Sequence, residues 1–227
     1  MRTGPPLWVI KAVMSLTGLI WAGFVLVHLF GNLKVYGGAA GFDTYAHWLR
    51  EVGYPLIPHE GVLWSLRIVL VVALVAHVVA ALMLLARSRS ARGPVRARRT
   101  GLRMWNATLM LPTGILILVF LGIHVLDLTL GVEPAAPSAF AAPGEGGSPY
   151  ANLVASLARP WAAVVYAGTM LAIAAHLFHG ALLAANDLGA TGARLRVVCV
   201  WIGALAAIAV LLGNASIPVA VQMGLLT

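Results

Sequence analysis

Apolar residues gather into five long stretches separated by polar connections, at 7–33, 62–86, 105–130, 161–185 and 197–223. Each approaches or exceeds the roughly 20 residues that carry a helix across the hydrocarbon core of a bilayer. The pattern predicts an all-α membrane protein, a single domain over 1–227 built as a bundle of five transmembrane helices. The first stretch is too long for a signal peptide and lacks a small-residue cleavage site followed by a polar mature domain, so it is read as a helix. Composition agrees: of 227 residues 61% are hydrophobic and only 10% charged, with mean hydropathy +0.93, which excludes a soluble domain around one core. The single cysteine, Cys199, lies in the fifth stretch, so neither a disulfide framework nor a thiolate cluster for zinc or iron–sulfur is available.

Charge sets the expected orientation. The connection between the second and third stretches holds Arg87, Arg89, Arg92, Arg96, Arg98, Arg99 and Arg103, seven of the fifteen basic residues. In a soluble protein such a run points to nucleic acid. In a membrane protein the positive-inside rule accounts for it, and no nucleic-acid partner is expected. With that connection cytoplasmic, Arg2, Lys11, Arg194 and Arg196 fall inside as well, against Lys34, Arg50, Arg67 and Arg159 outside. The N-terminus is then cytoplasmic and the C-terminus external.

The two long outer connections differ in kind. In 31–61, Asp43 is placed to N-cap a short helix that carries Tyr45, Trp48 and Leu49 toward the bilayer interface. The stretch 131–149 is Ala, Pro and Gly with two glutamates and little to bury, which predicts a mobile connection without readable function. No internal repeat supports a transporter built on inverted halves.

Candidate chemistry comes from histidines inside the apolar stretches. At 1.5 Å per residue, His28 and His124 fall roughly 5–9 Å inside the outer boundary, and His77 and His179 roughly 12–15 Å from the inner one. Ionisable side chains within a membrane are costly and mark function. Two depth-matched pairs fit bis-histidine ligation of two haems, in which neutral imidazole is stabilised on iron. His176 lies three residues from His179, about 60° around the helix and ~4.5 Å toward the outer side. Spacing alone leaves either as the inner ligand. Helix glycines such as Gly18 and Gly114 leave room for a flat macrocycle, although close helix packing uses glycine too.

Four segments carry a family resemblance: His28-Leu-Phe-Gly-Asn-Leu-Lys34, Phe42-Asp-Thr-Tyr-Ala-His-Trp-Leu-Arg-Glu-Val-Gly53, Pro58-His-Glu-Gly-Val-Leu-Trp-Ser-Leu-Arg67 and His176-Leu-Phe-His179-Gly180. Through them the chain resembles, over nearly its whole length, the cytochrome b membrane-anchor subunit of succinate dehydrogenase (succinate:quinone oxidoreductase), of the bacterial single-chain, five-helix, dihaem type. The resemblance implies two haem b groups, an outer one on His28 and His124 and an inner one on His77 and His179, and so prefers His179 to His176. It further implies a flavoprotein subunit and an iron–sulfur subunit on the cytoplasmic side, menaquinone as electron acceptor, and a place in the bacterial cytoplasmic membrane, the respiratory chain and the tricarboxylic acid cycle. This chain would be the electron-transfer subunit of that enzyme, with no succinate chemistry of its own. The whole complex could form a higher oligomer, and the Arg-rich connection could dock a partner or meet anionic lipid.

Quinone reduction needs hydrogen-bond donors and a proton source near the outer haem, and Lys34, Tyr45, His47, Trp48, Arg50, Glu51, His59 and Glu60 are the groups at hand. Arg67 outside and Ser15 inside are candidate propionate partners. With no carboxylate expected at mid-membrane, no proton pumping is expected. Two other readings share parts of this pattern: the cytochrome b anchor of another quinone-linked dehydrogenase, of formate dehydrogenase or hydrogenase type, and a haem-free anchor, channel or transporter.

Overall fold

The computed structural model of the chain describes residues 4–91, 102–190 and 192–227, of which 102–108 and 145 are described by backbone alone. Arg2, Arg92, Arg96, Arg98 and Arg99 lie outside the described residues. Those described form α1 (Leu7–Asn32), α2 (Gly38–Glu51), α3 (Gly61–Ala91), α4 (Leu102–Val125), α5 (Pro149–Leu157), α6 (Pro160–Asp187) and α7 (Ala193–Gln222), with no strand among them. Among the described residues α1, α3, α4, α6 and α7 are long and apolar enough to cross a membrane, each on one of the five predicted stretches. A helix meets this requirement locally, because it satisfies its own backbone hydrogen bonds where lipid offers none.

The bundle is organised around α6, which packs on α1, α4, α5 and α7. Its apolar window is 39% buried, against 6–17% for the other four. Its buried residues are Tyr166, Thr169 and Met170 with five alanines, Ala162, Ala163, Ala172, Ala174 and Ala184. Small side chains let backbones approach, and that approach replaces the hydrophobic drive that lipid removes. On α7, Gly203 faces Ala181, and a Cβ on Gly213 would come 2.5 Å from Leu29 of α1. Besides these contacts α1 packs on α3 and α4 packs on α6, whereas α1 against α4 and α3 against α6 make no comparable backbone packing among the described residues.

The two long connections, 31–61 and 131–149, depart from expectation in two places. α2 begins at Gly38, so Asp43 lies inside it and does not cap it. Its carboxylate instead reaches the other outer connection, accepting from the Ser148 hydroxyl (2.5 Å) and the Tyr150 backbone N–H (2.9 Å). Ser148 in turn accepts from the Ala151 N–H at 3.0 Å. Together they cap α5, where unpaired N–H groups and the helix dipole favour a carboxylate.

The 131–149 stretch, expected to be mobile, follows a defined path. Gly131 adopts φ +66°, a left-handed conformation that glycine tolerates, and the Phe140 ring lies over it. Asn152 clamps Ala141 from both sides, accepting from its N–H (3.1 Å) and donating to its carbonyl (2.7 Å). α5 then buries Tyr150, Leu153 and Leu157 in a cluster with Val35, Phe120, Tyr166 and Ile217. Hydrogen bonds from α5 hold the stretch, and these leave no periodic signal in the sequence.

Candidate haem-binding site

The structure brings the intramembrane histidines together in two facing pairs. At the level expected to be the outer one His28 of α1 meets His124 of α4 with ring centres 5.9 Å apart. A phenylalanine one turn earlier on the same helix stacks on each: Phe24 on His28 at 5.3 Å and Phe120 on His124 at 5.8 Å. Tyr166 of α6 closes this level, 5.9 Å from His124 and 5.0 Å from Phe120.

At the inner level His77 of α3 meets His176 of α6, with ring centres 6.4 Å apart. Nδ1 of His77 donates to the Met14 carbonyl at 3.1 Å and lies 3.2 Å from the Thr17 hydroxyl. On the other side Nδ1 of His176 lies 3.1 Å from the Thr113 hydroxyl and meets the backbone of Met110. His179, which the family resemblance preferred, is not the ring brought to His77. It sits about 4.5 Å further inward along α6, and its Nδ1 is buried without a hydrogen-bond partner.

Thr17 is eleven residues before His28 and Thr113 eleven before His124, so the two levels lie roughly 16 Å apart along the helices. The repeat is wider than that spacing. Met14-x-x-Thr17-Gly18-x5-Phe24-x3-His28 in α1 recurs as Met110-x-x-Thr113-Gly114-x5-Phe120-x3-His124 in α4. α1 with α3 and α4 with α6 are thus equivalent helix pairs, each with its histidine facing a Thr-Gly step: a Cβ on Gly18 would come 3.2 Å from His77 Cε1, and one on Gly114 3.3 Å from His176 Cε1. This is a parallel repeat, and a search for inverted halves passes over it.

These residues fit haem. Two imidazoles on one metal, with metal–nitrogen bonds of about 2 Å, have ring centres roughly 6 Å apart. Both histidine pairs bridge helices that make no close backbone packing on each other among the described residues. Trp21 Nε1, His124 Nδ1 and His179 Nδ1 are buried without hydrogen-bond partners among the described residues, and buried polar groups left so invite a ligand or water. No group of three or more His, Cys, Asp or Glu among the described residues suits a bare metal ion. Two opposed axial imidazoles are instead the arrangement haem uses.

The quinone candidates separate into three groups. The Lys34 ammonium lies over the Phe30 and Tyr45 rings at 5.0 and 4.9 Å, Tyr45 stacks on Trp48 at 5.8 Å, and the Tyr45 ring rests on Gly31. Arg50 is engaged by Glu60 at 3.2 Å and by the Ala46 carbonyl at 2.7 Å, so it ties α2 to the segment leading into α3. His47 and Glu51 form an exposed pair 3.6 Å apart. Of the candidate propionate partners, Arg67 lies over the Trp64 ring at 4.7 Å and Ser15 is buried in α1.

One buried carboxylate, Asp127, is not among the residues that the sequence singles out. After His124 the helix widens into a π-turn, Leu126–Leu130, and Asp127 is fully buried. It accepts from Ser156 (2.5 Å), Tyr166 (2.9 Å) and Arg159 (2.9 Å), joining α4, α5 and α6 beside His124. The helix-terminal π-turn, a feature frequent at functional sites, has no sequence signature here.

No family model, curated protein or solved structure matches the chain.

Proposed function

We propose that this chain is the dihaem cytochrome b membrane anchor of a succinate dehydrogenase, conducting electrons from an iron–sulfur partner on the cytoplasmic side to menaquinone near the outer side. The observation that supports it most directly is the pair of facing imidazole couples, at two levels, between helices that do not otherwise pack. His28 and His124 would hold the outer haem b, and His77 and His176 the inner one. When bound, the two groups supply one-electron carriage across the membrane, with potentials tuned by axial ligation, hydrogen bonding and burial. The chain's own part is to hold ring nitrogens at fixed separation, to keep water from the two levels with apolar helices, and to orient the rings. Lys34, Tyr45 and Trp48, one contiguous cationic and aromatic cluster under α2, are the groups best placed to receive a quinone headgroup near the outer level, with the exposed His47–Glu51 pair as the nearest proton exchangers. Succinate oxidation belongs to the flavoprotein partner.

A pyridine haemochrome assay on the purified chain is expected to give two haem b per chain, and one or none would overturn the reading. Isolation from native membranes with a covalent flavoprotein and an iron–sulfur subunit separates succinate dehydrogenase from the formate dehydrogenase and hydrogenase types.

Orientation follows from the basic residues. A reporter fused after Thr227 is expected to behave as extracytoplasmic and one inserted within 88–94 as cytoplasmic. The inverse result would put the iron–sulfur partner at the level of His28 and His124.

A further inference from the structure

We infer that Thr17 and Thr113 are paired positioning residues that, each beside a backbone group of its own helix (Met14, Met110), hold His77 and His176 in the tautomer with hydrogen on Nδ1, so that each presents a bare Nε2 to the other. The inference rests on the haem reading and specifies how the inner site is prepared.

A carbonyl oxygen only accepts hydrogen bonds, so Nδ1 of His77, 3.1 Å from the Met14 carbonyl, must carry the hydrogen. The Thr17 hydroxyl is committed in the same direction. It gives its own hydrogen to the Val13 carbonyl at 2.6 Å, which leaves oxygen lone pairs toward His77 Nδ1 at 3.2 Å. In α4 Thr113 gives its hydrogen to the Leu109 carbonyl at 2.5 Å and turns its lone pairs toward His176 Nδ1 at 3.1 Å.

Threonines in membrane helices often bond back to the preceding turn and do nothing else. Here the same back-bonded threonine faces a histidine twice, with a glycine after it that makes space for the ring. Metal-binding histidines characteristically donate their second ring N–H to such an acceptor, which fixes ring orientation and raises ligand basicity. Each copy of the repeat therefore serves both levels: it carries an outer ligand, His28 or His124, and eleven residues inward it locks an inner ligand on the neighbouring helix.

The test uses the full chain purified with its haem, comparing Thr17→Val and Thr113→Val with Thr17→Ser and Thr113→Ser. Valine keeps the branched shape and removes the hydroxyl acceptor, leaving His77 Nδ1 the Met14 carbonyl alone and His176 the Met110 backbone alone, while serine restores the second acceptor. Weaker ligand basicity favours ferrous iron, so the valine variants are expected to shift the ferric–ferrous equilibrium of the inner haem about tenfold toward the ferrous form, an upward change of about 59 mV for a one-electron couple. The ferric low-spin electron paramagnetic resonance signal of that haem should change with ring orientation, the outer haem's signal should not, and serine should restore the wild-type values. An unchanged inner potential and signal in haem-replete valine variants would overturn the inference while leaving the haem reading intact. Haem loss in the valine variants that serine reverses supports it, and haem loss that serine does not reverse overturns it in favour of a packing role. A wild-type chain that binds no haem fails the haem reading itself, and this inference with it.

Discussion

His176→Ala is expected to remove the inner haem and leave the outer one, halving haem b per chain, while His179→Ala keeps both. The two residues lie three apart on α6 and are separated by about 60° around the axis, so either satisfies a depth argument. What distinguishes them is on the facing helices. His77 lies opposite His176, with ring centres 6.4 Å apart, and Thr113 of α4 anchors His176 Nδ1 at 3.1 Å. His77→Ala should match His176→Ala, since on the proposed reading each residue would supply one of the two ligands of that haem. Reduced-minus-oxidised spectra together with haemochrome content provide the measurement. Loss of the inner haem in His179→Ala with retention in His176→Ala would return the ligand role to the residue that the family resemblance preferred.

Asp127→Ala is expected to destabilise the folded chain by about 3–5 kcal/mol, the usual cost of breaking a buried ion pair by removing one partner. The carboxylate is fully buried and accepts from Ser156, Tyr166 and Arg159 at once, so its loss leaves the Ser156 and Tyr166 hydroxyls without that acceptor and Arg159 with only the Ser156 and Pro134 oxygens. Arg159 is 21% exposed and regains part of its hydration, which places the loss toward the lower end of that range. Thermal unfolding in detergent, with the wild type as reference, should show a fall of about 10 °C, at 2–4 °C per kcal/mol for a chain of this size. Asp127→Asn keeps an acceptor for Tyr166 and Ser156 but not the charge opposite Arg159, and should fall between. A midpoint unchanged in Asp127→Ala would show that the network contributes nothing to stability. Because Tyr166 touches both Asp127 and His124, the outer haem spectrum is expected to broaden in the alanine variant, and the inner one to stay as it is.

The amino-acid sequence by itself determined the five spanning helices and the depths of their histidines. In lipid a helix closes its own hydrogen bonds, so hydropathy and the rise per residue are local quantities that need no knowledge of neighbours. The Thr-Gly-x5-Phe-x3-His repeat stands in the same sequence but was passed over there, and it became meaningful only once α3 and α6 were seen to face its two copies. Contacts between distant segments decided the rest. Asp43 reads as the cap of its own helix because capping is usually local, yet its partner is the start of α5, 105 residues away. The 131–149 stretch reads as mobile because composition reports what a segment can bury, and does not report that Asn152 holds Ala141. Asp127 carries no mark of its role in the sequence, because Arg159, Ser156 and Tyr166, which enclose it, come from a distant segment. The choice between His176 and His179 belongs to the tertiary structure for the same reason: two residues on nearly one helical face differ only in what the opposite helices place before them.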